Sequence, residues 1–135
     1  MKCRVIDANI VLRFILADHA QQSPRCRKLF ERVVNDQEQI RLPEAALSDV
    51  VWTLGSFYKM PKTQIRQFVL DVLALDGVRM ARKPVVRDAL DLFAVKNIDF
   101  TDALVISEMQ HDGETEVYSF DRDFDKMAEI KRLEP

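Results

Sequence analysis

A three-layer α/β/α sandwich around a central, mostly parallel sheet is the fold that the order of apolar patterns predicts. Short strand-like runs alternate with longer stretches of helical period, and paired helices stand between some of the strands, as in parallel sheets covered on both faces. The chain has 135 residues, 47% of them hydrophobic, enough for one domain with a full core. Two strand-like runs end directly on an aspartate, and in open parallel sheets ligands bind beyond the carboxyl ends of the strands. No internal repeat, low-complexity tract or long linker interrupts the chain, so residues 1–135 are expected to form a single domain.

The elements follow in order. Residues 3–6 are expected as a short buried strand. Asp7 or Asn9 can cap the helix begun by Ile10, Val11, Phe14 and Ile15. Cys26, Leu29, Phe30, Val33 and Val34 recur at helical spacing and define a second helix. Residues 40–42 form the next strand, after which Pro43 suits the first turn of a helix carrying Leu47, Val50, Val51, Leu54 and Tyr58 on one side. Met60-Pro61 breaks that pattern. A fourth helix follows with Ile65, Phe68, Val69, Val72 and Leu73 in register, ended by Gly77. Residues 78–81 are a weak strand. Pro84 starts a helix with Val86, Ala89, Leu90 and Phe93; Asp99 is expected to cap the next, over residues 100–110, and Gly113 to end it. Residues 116–120 form a strand and 121–127 a short helix or turn.

Charge narrows the function. Charged residues make up 31% of the chain and the formal net charge is −2, which gives no support to a passive nucleic-acid binder. A nuclease escapes that objection if metal ions neutralise an acidic centre. Cys3 and Cys26 have no zinc or redox spacing and are expected as core thiols in a reducing compartment. The start, MKCRVIDAN, shows no signal peptide, and no apolar run approaches the ~20 residues a membrane helix needs, so a cytoplasmic location is expected.

Four short segments carry acids that this fold can bring together: Asp7 in VIDAN, Asp49 in LSDVVW, Asp102 in IDFTDAL, and Asp121 with Asp123 in VYSFDRDF. Closely packed carboxylates repel, so such a cluster calls for a counter-ion. The natural one is a hard divalent cation, Mg²⁺ or Mn²⁺, and the natural chemistry is water attack on a phosphodiester. Each residue also has a plainer use. Asn9 can fix the Asp7 carboxylate or cap a helix. Asp49 lies off the apolar stripe of its helix, where solvent alone would explain it. Asp99 and Asp102 share the first turn of one helix, where negative charge is favourable without a metal. Ser119 can bind a phosphate oxygen or orient an acid; Asp123 can support the site or cap a turn. Arg122 and Lys126 can hold substrate or serve solubility.

Other chemistries fit less well. With three Gly and no G-x-G-x-x-G or P-loop, the chain has no nucleotide cradle. His19 and His111 have no second ligand nearby in sequence and read as surface or capping residues, and Ser48 and Ser119 lack a nucleophile elbow.

The segments VIDANIVLRFIL, LSDVVWTLGSFY, DFTDALVI and VYSFDRDFDKM together make the chain similar to the PIN-domain family, and within it to VapC-type toxins of toxin–antitoxin modules. The resemblance covers essentially the whole chain. It implies a PIN-like α/β/α domain, a Mg²⁺- or Mn²⁺-dependent endoribonuclease, a homodimer and a cognate antitoxin protein. By position, Asp7 matches the first family acid and Asn9 its small polar neighbour; Asp102 matches the later helical acid, with Asp99 auxiliary. Asp121 matches the acid after the fourth strand, with Ser119 before it. Asp7, Asp102 and Asp121 would then hold one divalent ion, with Asp49 helping through a water or completing the cluster. Asp49 stands where the family usually has Glu, which puts a second metal position or the rate in question. RNA as substrate rests on the resemblance alone. The alternatives are a catalytically weak or inactive protein of this fold that binds RNA or a protein, and an α/β subunit whose acids are helix caps.

Overall fold

Three short parallel strands and four helices make up residues Met1–Ala81, one of two compact units in the computed structural model, which describes every residue from Met1 to Pro135; Arg82–Pro135 is the other. The α/β class with parallel strands is as the sequence predicts.

The first unit runs β1 (Cys3–Val5), α1 (Ala8–Leu16), α2 (Gln22–Val34), β2 (Gln39–Arg41), α3 (Glu44–Ser56), α4 (Lys62–Leu73) and β3 (Val78–Arg79). The strands lie in the order β1-β2-β3, with Arg4 opposite Ile40 and Ile40 opposite Val78. Parallel strands need crossovers, and the helical pairs supply them. Ile40 on the central strand β2 and Val78 on β3 are fully buried. Cys3, Arg4 and Val5 are all exposed; the buried residue of that run is Ile6. The expectation of a buried first strand is therefore corrected, and with it that of Cys3 as a core thiol. Cys26 is buried, and both cysteines are free.

Helix α2 presents Cys26, Phe30 and Val33 inward, and Phe30 stacks on Phe14 of α1 with ring centroids 4.0 Å apart. Val34, expected on the same stripe, is exposed at the helix end. His19 accepts from the N–H groups of Gln21 and Gln22 through Nδ1, satisfying donors at the start of α2. In α3, Leu47, Val50, Val51 and Leu54 are buried, while Tyr58 lies beyond the helix and donates to Asp18 at 3.4 Å. Helix α4 stops at Leu73 rather than at Gly77. Gly77 serves close packing: a Cβ there would stand 2.7 Å from Val33 Cγ1.

The second unit runs α5 (Lys83–Val95), α6 (Phe100–Asp112), β4 (Glu116–Tyr118), a 3-10 turn (Arg122–Lys126) and β5 (Lys131–Leu133). Helices α5 and α6 pack on each other, with Val86, Ala89, Leu90, Ala103 and Ile106 fully buried. Burial of each large apolar side chain is worth roughly 1.5–3 kcal/mol. Ser107 is also fully buried, and its hydroxyl donates to the Val85 carbonyl at 2.6 Å. Gly113 ends α6 at φ 74°, as its position predicts. Strands β4 and β5 are parallel, Tyr118 opposite Leu133. No helix is long and apolar enough to cross a membrane.

Candidate metal centre

Three carboxylates of the second unit converge. Asp102 projects from the first turn of α6; Asp121 and Asp123 come from the turn after β4; one oxygen of each lies within 4.8 Å of the others. The local chain explains the arrangement. The Ser119 N–H donates to the Leu133 carbonyl, so β5 holds the end of β4. The Ser119 hydroxyl then accepts from the Asp121 N–H at 2.9 Å. Asp121 Oδ1 accepts from the Asp123 N–H at 2.9 Å, starting the 3-10 turn and fixing one carboxylate beside the other. Lys126 closes the turn: its ammonium lies 3.1 Å from Asp123 and donates to the Asn97 carbonyl at 3.0 Å.

Asp102 is half-buried and Asp121 exposed. Burial pushes the Asp102 carboxyl above its ordinary value. A hydrogen bond with Asp121, and the charges of Asp121, Asp99 and Asp123, push it the same way. A carboxyl whose proton affinity is raised by neighbouring acids is one for which a cation would compete.

The donor set suits a hard metal. Three carboxylates and no sulfur or imidazole match a hard divalent cation, a class that includes Mg²⁺, Mn²⁺ and Ca²⁺. The three oxygens lie within 4.8 Å of one another, so side-chain rotation inward would let them share one ion.

Of the residues singled out from sequence, Asp102, Asp121 and Asp123 are brought together, with Asp99 close enough to act on Asp102 electrostatically. Asp99 stands at the N-cap position of α6 but makes no side-chain capping bond. Ser119 bonds to the main chain of Asp121. Asp123, read from sequence as a support or a cap, stands among the clustered acids. Asp7, in the first unit, caps α1 by accepting from the Ile10 N–H at 3.2 Å; Asn9 lies inside that helix and is not its cap. Asp49 is exposed on α3. Sequence reasoning did not single out Arg13, Arg25 and Arg32, which with Asp7 and Asn9 line a groove of ≈ 490 Å³ in the first unit. The i, i+3 and i+4 spacings of residues 22, 25, 26, 29 and 32 were the available signal.

Comparison with known proteins agrees with this chemistry. The family model described as PIN domain matches residues 4–130. The chain is also similar to a VapC ribonuclease of Aquifex aeolicus (strain VF5), 26% identical over 132 residues, which cover 98% of this chain and 96% of the relative.

Proposed function

The chain belongs to the PIN domain family, and from that membership and its clustered carboxylates we propose that it is a metal-dependent endoribonuclease, the toxin of a toxin–antitoxin pair. The observation that carries the reading is the convergence of Asp102, Asp121 and Asp123 within 4.8 Å. These residues would hold Mg²⁺ or Mn²⁺. When bound, such an ion supplies charge neutralisation at the phosphoryl group and a more acidic water for in-line attack on phosphorus. Ser119 sets the main chain that carries Asp121, and Lys126 steadies Asp123. Asp7 and Asp49 enter the proposal through their sequence pattern. The similarity to a VapC ribonuclease supports RNA as substrate and a cognate antitoxin as partner. A homodimer belongs to the same reading.

A second reading, a weak or inactive RNA- or protein-binding module, is favoured by Asp49, a shorter acid than the usual Glu and an exposed one. Cleavage of a mixed RNA pool by the purified protein, with Mg²⁺, Mn²⁺ or EDTA, decides between them. Metal-dependent products carrying 5′-phosphates, lost in Asp7→Asn, Asp102→Asn and Asp121→Asn at a melting temperature no lower than that of the unaltered protein, are expected. Binding without cleavage at any metal concentration would establish the second reading.

A further inference from the structure

A groove between α1 and α2 gathers cationic side chains in the first unit. Its walls are Asp7, Asn9, Ile10 and Arg13 from the α1 side and Gln22, Arg25, Cys26, Leu29 and Arg32 from α2. Its ≈ 490 Å³ falls within the roughly 300–1,000 Å³ typical of ligand sites. Three guanidinium groups therefore face one carboxylate. Arg13 is held by Asp18 at 2.8 Å and Arg32 by Glu38 at 2.9 Å. Arg25 is exposed and makes no hydrogen bond or ion pair. Ile10, Cys26 and Leu29 supply the apolar part of the lining. Although burial raises the Cys26 thiol, Arg13 and Arg25 both act to lower it and Asp7 to raise it, so these charges converge on one point of the groove.

The charge is not a property of the whole chain. Residues 1–81 hold 12 Lys and Arg against 9 Asp and Glu; residues 82–135 hold 8 against 13. A second groove of ≈ 520 Å³, lined by Val5, Ile6, Pro43, Ala45 and Ala46, shares Asp7 and Ile10 with the first. Cationic and apolar surface thus adjoin at Asp7, and guanidinium groups can both pair with the phosphates and stack on the bases of a single nucleic-acid strand.

We propose that the α1–α2 groove binds the phosphodiester backbone of single-stranded RNA, with Arg25 as the free phosphate ligand and Arg13 and Arg32 flanking it. The inference deepens the ribonuclease reading and rests on it for the choice of RNA.

The test is binding of a labelled single-stranded RNA to the full chain in EDTA, by fluorescence anisotropy over a series of salt concentrations. Arg25→Ala should weaken binding about tenfold and lower the salt slope by about 0.7, while Arg25→Lys retains most affinity. Arg27→Ala, which removes an exposed charge on the same helix outside the groove, should change binding less than twofold. Equal losses in the Arg25 and Arg27 variants would overturn the proposal in favour of diffuse charge. So would absence of binding by the unaltered protein, or displacement of RNA by polyglutamate as readily as by unlabelled RNA, which would indicate an acidic peptide ligand. Arg25-dependent binding without metal-dependent cleavage would leave the groove standing and remove the nuclease. Cleavage by a protein whose binding ignores Arg25 would do the reverse.

Discussion

Asp102 combines partial burial with three acidic neighbours, and this makes its protonation a stability term. Its folded carboxyl is raised by burial first and by Asp121, Asp99 and Asp123 second. Between the unfolded value, about 4, and the raised folded value, the native state binds more protons than the unfolded chain. The associated stability is therefore complete below the unfolded value and is lost as pH rises through the folded one. Metal-free protein should lose melting temperature across that window relative to Asp102→Asn, and Mg²⁺ should recover it by binding only the native state. The measurement is the difference in melting temperature between the two proteins against pH, in EDTA and in Mg²⁺. A difference that does not vary with pH in EDTA would show that Asp102 carries no crowding. Ser119→Ala should lower the cleavage rate with little change in melting temperature, since its hydroxyl bonds only the main chain at Asp121.

At the scale of elements, the two helical units depend on close contacts that invite direct tests. Gly77→Ala would drive a methyl to 2.7 Å from Val33 Cγ1, with the carbonyls of Val33 and Glu38 at 3.2 and 3.3 Å. Val33 is itself fully buried, so overpacking should destabilise by about 1–3 kcal/mol. Adding Val33→Ala should cost less in that background than in the unaltered chain, and denaturant unfolding of all four proteins measures the coupling. Ser107→Ala should cost about 1 kcal/mol for the bond between α6 and α5. The helices were legible because their apolar residues repeat at 3.6 and their ends carry Pro43, Pro61 and Gly113. Strands of two or three residues are too short to show a period. Residues 3–6 therefore read as buried when only Ile6 is, and β5, Lys-Arg-Leu, gave no strand signal. Asp102 and Asp121 stood out as acids near helix and strand ends. Membership of Asp123 depended on a turn set by its N–H donating to the Asp121 carboxylate, and the Arg25 groove on two helices meeting, neither of which a linear pattern contains.

For the whole molecule, self-association is a question of which apolar surface is left over. The apolar stripes of α2 and α4 are one place to look for a dimer face. Cys26, Phe30, Val33, Ile65, Val69, Val72 and Leu73 are instead buried within the chain, so those stripes have little to offer a second copy. The large apolar side chains left outside include Trp52 at 66% and Phe57 at 72% exposure, one on α3 and one just past its end. In a two-fold dimer the same patch serves both copies. Four aromatic side chains supply roughly 600–1,000 Å² of the roughly 1,200–2,000 Å² a stable interface buries, so roughly a third or more of the contact should be aromatic. Trp52 is the sole tryptophan, which makes it a reporter of its own burial. If the homodimer forms through this patch, emission should shift to the blue as protein concentration rises through the micromolar range, in step with sedimentation. Phe57→Asp should hold the emission red and the species monomeric, because pairing would bury an uncompensated carboxylate. Dimerisation with concentration-independent emission would place the interface elsewhere, and a monomer throughout would refute self-association.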